Sequence, residues 1–276
     1  MEIATISFLF DSDNQGITGN YTEWLIEAMR GCETRCGILP ELLLSAGYTC
    51  VDTAGLAVLE REFADKQVMI AAEMLNPSDN PLIGPRHLKG AGQLYVVGGG
   101  RAARLEPRQQ FSSTSNVTEE RAENVVSGLS SNGGRRFSVQ SAQVGWLECG
   151  EINVLCCQHG DREHGVRVRY EAHERRFFDA VTSLDMILNP QHTRMSRLHL
   201  LRRKVEALSA GTILRAPPGK RWPIYVGTTN WNRVRQRRSQ SNLQSVFRDG
   251  LPVQPHDIIE TENYILSVFS VDVPQR

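Results

Sequence analysis

The chain has 276 residues, of which 40% are hydrophobic and 22% are charged, and its formal net charge is zero. This composition is typical of a globular protein with enough residues to bury a large core. The balanced charge excludes an overall electrostatic attraction to nucleic acid, and no apolar run is long enough to predict a membrane-spanning helix.

The first residues and the number of cysteines bear on the cellular compartment of the protein. Residues 1–7 begin a predicted strand and lack a basic segment, so we expect no signal peptide. Six cysteines without such a signal favour reduced thiols. We therefore expect a cytoplasmic protein.

Predicted strands and helices alternate in the first half of the chain. The strands are predicted at 3–10, 36–44, 68–75 and 94–97, and the helices at 21–30 and 54–64. Pro40 indicates that regular strand pairing ends there. The polar stretch 101–136 gives no clear assignment, because it is rich in Ser, Asn and Gly.

The second half continues this alternation and then becomes richer in strands. The strands are predicted at 137–139, 144–148, 184–189, 212–216, 224–228 and 265–273, and the helices at 175–183 and 195–210. Asp249-Gly250 predicts the turn of a hairpin at 242–253. This order predicts a layered α/β fold, and we expect a single domain over residues 1–276.

Cys149 is the candidate nucleophile. Residues 144–155 have the pattern of a buried strand that runs into a tight turn. Gly150 follows the thiol, and a glycine there permits a backbone conformation or a close approach that a side chain would block. A cysteine at such a turn, with amide N–H groups nearby, is a plausible nucleophile. The alternative is an inert packing residue, which is the commoner role of a free cysteine.

Two carboxylates, those of Glu41 and Glu151, are candidate partners of the Cys149 thiol. Glu41 is alone in the apolar run 37–44, and a buried carboxylate is costly unless it is neutral or hydrogen-bonded. The alternative is an exposed glutamate at a strand end. Glu151 lies two residues after Cys149, where it either braces the turn or projects elsewhere.

Other polar signals are weaker. His192 follows a predicted strand, at the carboxyl end where sites in α/β proteins often form, although a capping or surface role is the alternative. Cys156, Cys157 and the nearby histidines match no standard zinc spacing, so we predict no metal site. The arginine-rich run 233–238 is typical of solvated loop charge, and nucleic acid is an unlikely partner.

Several segments together resemble the nitrilase (carbon–nitrogen hydrolase) superfamily. They are Pro40-Glu41-Leu42 with Gly47-Tyr48, the segment 145–152 around Cys149, and the strand 184–190 that ends in Asn-Pro. Their order and spacing resemble the family over nearly the whole length. The resemblance implies a four-layer αββα sandwich that pairs with a second copy through its helices as a homodimer, and it implies no cofactor.

The same resemblance implies a reaction and its residues. A non-peptide amide or nitrile of a small molecule would be cleaved through a thioester or thioimidate on Cys149. Glu41 would take the proton from the thiol and later activate water. A cationic side chain and a backbone N–H, that of Gly150, would hold the developing oxyanion. Glu119 or Glu120 would fill the position of a second family glutamate.

The chain departs from the family pattern at the position of the cationic side chain. The resemblance places a lysine after the strand and glycine turn of 94–100, but residues 101–111 contain none. Pro107 or Arg108 occupies the position. Arg108 can donate two hydrogen bonds to an oxyanion but cannot release a proton near neutral pH. The missing lysine motivates the alternative hypothesis of a non-catalytic binding or scaffold protein with the nitrilase fold.

Overall fold

The computed structural model describes most of the chain. The described residues are 1–10, 21–37, 39–47, 53–75, 92–98, 101–104, 109–111, 113–131, 133–158, 165–191, 198–232 and 243–273.

The first sheet is built around three parallel strands, β1 (Glu2–Phe10), β2 (Leu42–Ser45) and β3 (Met69–Leu75). Beyond β3 it continues antiparallel with β4 (Gly92–Gly98) and β5 (Arg101–Arg104). On the other side of β1 lie β16 (Tyr264–Ser270) and β15 (Asp257–Glu260), and the short β12 (Trp231–Asn232) pairs with the end of β1.

The second sheet also has three parallel strands at its centre, β7 (Ala142–Trp146), β10 (Met186–Gln191) and β11 (Ile224–Thr229). Its antiparallel edges are β6 (Arg136–Val139) beside β7, and β13 (Gln244–Arg248) with β14 (Leu251–Val253) beside β11. A separate two-stranded ribbon joins β8 (Leu155–Cys157) and β9 (Val166–Val168).

Helices cover the outer faces of both sheets. The helices α1 (Thr22–Cys36) and α2 (Thr53–Glu62) pack on the first sheet. The second sheet is covered by α3 (Glu119–Leu129), α4 (Glu174–Val181) and α5 (Leu198–Ala210). Short 3-10 turns occupy Thr114–Asn116, Cys149–Val154 and Glu171–His173.

An apolar layer joins the inner faces of the two sheets. Leu44 of the first sheet and Val144, Trp146 and Leu188 of the second belong to this one buried cluster. Separate clusters lie between each sheet and its helices. The predicted four-layer αββα sandwich is therefore confirmed.

Two predicted elements are wrong in detail. The strand expected at 36–44 starts only at Leu42, because α1 extends to Cys36 and Gly37 ends it with a left-handed φ of 73°. The strand expected at 212–216 is reduced, among the described residues, to a bridge between Ile213 and Val166.

The six central strands run in one direction, so their carboxyl ends meet on one side of the sandwich. There the N–H of Gly47, just after β2, donates to the carbonyl of Gln191 on β10 at 3.1 Å. The N–H of Phe8 on β1 donates to Oδ1 of Asn230, just after β11, at 3.0 Å. Among the residues placed in the structure, no helix is long and apolar enough to cross a membrane.

Candidate active site

Cys149 lies where β7 ends, on the side of the sandwich where the carboxyl ends meet. Trp146 and Leu147 are fully buried and fix the strand just before the turn. Cys149 is partly exposed and has a positive φ of 30°. Such a backbone angle costs a non-glycine residue about 1–3 kcal/mol, and strain of this kind clusters at functional sites.

Glu151 braces the turn from inside the protein. Its side chain is fully buried and accepts hydrogen bonds from the backbone N–H of Glu148 at 2.8 Å and of Gln110 at 2.6 Å. Burial raises the pKa of Glu151, and Arg135 and the two N–H groups oppose that shift by favouring the carboxylate. Of the two roles that the sequence left open for Glu151, the structure shows the brace: both of its oxygens accept hydrogen bonds from within the protein, and neither is directed at a substrate.

Arg135 completes this brace. Its guanidinium donates to both carboxylate oxygens of Glu151, at 2.5 and 2.9 Å, and both side chains are fully buried. It also stacks over the ring of Trp146, with 4.4 Å from Cζ to the ring centroid. The pair links the strand, the turn and the backbone at Gln110, which lies two residues after Arg108. Arg135 was not among the site residues predicted from the sequence.

Asn189 holds the turn from the neighbouring strand β10. Its Nδ2 donates to the carbonyl of Leu147 at 2.5 Å and to that of Cys149 at 3.2 Å. Its Oδ1 accepts from the hydroxyl of Tyr225 and from Nε2 of Gln191, both at 2.9 Å. Burial raises the pKa of Tyr225, which therefore stays a proton donor. In the sequence, Asn189 contributed to the family resemblance only.

Lys204 reaches the same turn from α5. Its Nζ donates to Oδ1 of Asn153 at 2.6 Å, and Nδ2 of Asn153 donates to the carbonyl of Gly150 at 2.8 Å. Burial lowers the pKa of Lys204 to about 8. The chain has lysines at 66, 89, 204 and 220, and Lys204 lies far along the chain from residues 101–111, where the family resemblance places the lysine. The helical apolar pattern of α5 hid the role of Lys204.

Glu41 lies at the opposite end of the sandwich. It precedes β2 and accepts a hydrogen bond from the N–H of Glu2, at the start of β1, at 2.6 Å. Its other oxygen accepts from Nε2 of Gln140, in the turn before β7, at 2.6 Å. Cys149 follows the other end of β7, and strands rise about 3.3 Å per residue. The expectation that Glu41 takes the proton from Cys149 is corrected by this topology.

The shifted start of β2 explains the error. The prediction placed Pro40-Glu41 at the carboxyl end of a strand, whereas the strand begins after them. Ser45, Ala46 and Gly47 therefore stand where β2 reaches the end that carries Cys149, and none of these residues is acidic.

The remaining predicted site residues are placed as follows. Gly150 is buried in the turn directly after Cys149. Glu119 begins α3 and is exposed, with its carboxylate 3.8 Å from Nε2 of His173. Arg108 and His192 lie outside the described residues. Over the part of the chain that the structure describes, no cluster of three or more acidic, histidine or cysteine side chains is arranged to hold a metal.

Cys149 therefore lies on a strained turn beyond the carboxyl ends of parallel strands, which is where open α/β sheets bind their ligands. No protein-family model matches the chain, and no curated protein matches it. Among solved structures it is similar to a CN-hydrolase superfamily protein from Xanthomonas campestris, whose crystal structure carries an arsenic adduct in the active site. The TM-score is 0.51 at 10% identity, over 98% of this chain and 91% of that one.

It is also similar to a glutamine-dependent NAD(+) synthetase from Cytophaga hutchinsonii, with a TM-score of 0.48 and 13% identity, over 97% of this chain and 42% of that one. The likeness to the Xanthomonas protein extends over nearly the full length of both chains. The chain has the fold of the CN-hydrolase superfamily, and the resemblance expected from sequence is confirmed at the level of the fold.

Proposed function

We propose that this protein is a cysteine-dependent hydrolase or acyltransferase of a non-peptide carbon–nitrogen bond, with Cys149 as nucleophile. The observation that carries the proposal is the positive φ of Cys149 on a turn held by buried groups at the carboxyl ends of the strands. Such a turn presents a side chain at a fixed angle, which nucleophilic attack requires. The proposed substrate class, a small amide or nitrile, is the one that the family resemblance of the sequence implies.

The proposed reaction has two steps. For an amide, Sγ of Cys149 attacks the carbonyl carbon, the C–N bond breaks, and the thiol proton leaves with the amine. Water then attacks the thioester, the C–S bond breaks, and the thiol is restored with release of the acid. The N–H of Gly150 and the guanidinium of Arg108 are our proposed donors to the oxyanion.

The test is covalent trapping on the intact protein. The chain is incubated with a panel of aliphatic and aromatic amides and nitriles, and its mass is measured during turnover. We expect an acyl or imidate adduct that Cys149→Ala abolishes together with turnover. Cys36→Ala is the matched control, because burial raises the pKa of Cys36 to about 12 and its Sγ donates to Asp257. Turnover by Cys149→Ala at the parent rate would contradict the proposal.

The distance of Glu41 from the thiol favours a second candidate, a non-catalytic protein that binds a small ligand or a partner chain. In that case Cys149 reacts with iodoacetamide no faster than a cysteine in a free peptide. Faster alkylation of Cys149, compared in the same digest with Cys157, supports the enzyme instead.

We also propose a homodimer formed through the helices, in a reducing cytoplasm. The family resemblance supports the first part, and the second is supported by the five cysteines that the structure describes, none of which is in a disulfide. Sedimentation equilibrium is expected to give twice the chain mass of 30.9 kDa.

A further inference from the structure

The last part of α1 carries two cysteines, Cys32 and Cys36, four residues apart. Side chains at this spacing are neighbours on one face of a helix. Cys32 is 1% exposed and belongs to the apolar cluster between the first sheet and its helices, whereas Cys36 is partly exposed at the end of the helix. Neither is in a disulfide. The helix therefore presents one buried and one accessible sulfur as a pair.

The two sulfurs are already in contact. The thiol of Cys32 donates to Sγ of Cys36 at 3.9 Å. Four residues of α-helix rise about 6 Å, so the two Cα atoms are within the separation of about 4.4–6.8 Å that disulfides usually span. The Cβ atoms of such a pair lie about 5–6 Å apart and a disulfide needs about 3.5–4.5 Å. A bridge therefore requires only a small tightening of the backbone.

The end of the helix is where such a tightening costs least. Cys36 is the last residue of α1, and Gly37 ends the helix with a left-handed φ of 73°. The last carbonyls of a helix have no intrahelical donor, so the final turn yields more easily than the interior. No heavy atom of the described residues lies within 4 Å of the point where a Cβ on Gly37 would stand. The turn thus has room to move.

Asp257, on the edge strand β15, stabilises the reduced pair. The thiol of Cys36 donates to Oδ2 of Asp257 at 3.0 Å, and the other carboxylate oxygen lies 2.9 Å from the guanidinium of Arg35. Burial and then this carboxylate raise the pKa of Cys36 to about 12. Because the thiolate is the reactive form, Asp257 slows the reaction of the pair with oxidants.

We propose that Cys32 and Cys36 are a modification site, a dithiol that a small disulfide such as oxidised glutathione converts to an intramolecular disulfide. Sγ of Cys36, as thiolate, attacks one sulfur of the small disulfide, whose S–S bond breaks and releases one thiolate. Sγ of Cys32 then attacks Sγ of Cys36 and releases the second. The protons of the two protein thiols end on the two released thiols, so the protein is oxidised and the small disulfide is reduced.

The bridge removes a contact between α1 and β15. A disulfide sulfur carries no proton, so Cys36 no longer donates to Asp257. Asp257 keeps its contacts with Arg35 and with the backbone N–H of Ile258. The site lies on the helix layer of the first sheet, whereas Cys149 follows β7 of the second, so this inference does not depend on the proposed function.

The experiment incubates the folded chain in glutathione buffers of increasing disulfide content, quenches with acid and blocks the remaining thiols with N-ethylmaleimide. Trypsin cleaves after Arg30, Arg35 and Arg61, so a bridge links peptide 31–35 to peptide 36–61. A Cys50→Ser background leaves one cysteine in each peptide. We expect the linked pair of peptides, its absence in Cys36→Ser, and its loss on treatment with dithiothreitol.

Cys156 and Cys157 supply the matched control, because they are adjacent on β8 and adjacent side chains of a strand point to opposite faces. Replacing both by serine is expected to leave the linkage of 31–35 to 36–61 at the parent level. Asp257→Asn is expected to form the linkage about threefold or more faster, because loss of the carboxylate charge lowers the pKa of Cys36 and raises its thiolate fraction.

Three results would overturn the proposal. The first is a chain that gives no linkage of the two peptides at any glutathione ratio. The second is a reaction that stops at the mixed disulfide of glutathione with Cys36. The third is a linkage that forms in urea but not in the folded chain, because the folded geometry would then play no part in it. An Asp257→Asn variant that reacts at the parent rate overturns the protecting role of Asp257.

Discussion

Cys149 adopts a backbone angle that a glycine adopts at less cost. Its φ of 30° lies on the positive side, where the Cβ of an L-residue is crowded. We expect Cys149→Gly to be about 1 kcal/mol more stable than Cys149→Ala, because alanine retains the strain and glycine removes it. Urea unfolding of the two variants measures the difference. Equal stabilities would show that the turn stores no strain at this residue.

Arg135 and Glu151 form a buried ion pair beside the turn. Both side chains are fully buried, so removing one partner leaves the other charge without compensation. Glu151→Gln and Arg135→Met are each expected to cost about 3–5 kcal/mol in the free energy of unfolding.

The double variant is the control for this pair. Its cost should fall below the sum of the two single costs by about 2 kcal/mol, since neither charge remains buried alone. Additive costs in urea unfolding would contradict a coupled brace.

At the scale of the element, α5 is tied to the Cys149 turn through a buried lysine. Burial lowers the pKa of Lys204 to about 8 from the ordinary value of 10.5. Below pH 8 the lysine is charged in both states and the full penalty of burying the charge is present. Between about pH 8 and 10.5 the unfolded chain binds the proton and the folded chain does not, so this group makes stability rise with pH by up to about 3 kcal/mol.

Lys204→Met isolates this effect, because the buried tyrosines titrate equally in both proteins. The stability of the parent relative to Lys204→Met is expected to increase between pH 7.5 and 10, as measured by urea unfolding at each pH. A difference that stays constant over this range would show that Lys204 keeps its ordinary pKa.

The elements also show how far the sequence predicts the fold. Helical spacing and turn chemistry located α5 and the hairpin at Asp249-Gly250, where φ is positive at both residues. α3 was missed inside a polar stretch, although Thr118 caps it and Ala122, Val125 and Leu129 form its buried face. Six of its eleven residues are polar, so average composition concealed the helical period.

The candidate site was predictable only in part, for a reason that lies in β2. An apolar run on both sides of Pro40 allows a strand before it or after it, and local pattern does not choose between them. Tertiary pairing with β1 and β3 selects residues 42–45. This choice moves Glu41 to the other end of the sandwich, away from the thiol.

At the scale of the whole molecule, six parallel strands in two sheets point their carboxyl ends to one side. Cys149, Asn189 and the buried network around Asn230 lie there, whereas Glu41 and Gln140 lie at the starts of the strands. Open α/β sheets bind ligands at the carboxyl ends of their strands, which is where Cys149 and Asn189 lie.

The separation of residues 41 and 149 tests this arrangement directly. Spin labels are placed on Cys149 and on Glu41→Cys in a chain whose other cysteines are replaced by alanine, and pulsed EPR measures the distance. Six or more residues of strand at about 3.3 Å each predict a separation of about 20 Å or more. A distance below about 10 Å would return Glu41 to the thiol and contradict the placement of the site.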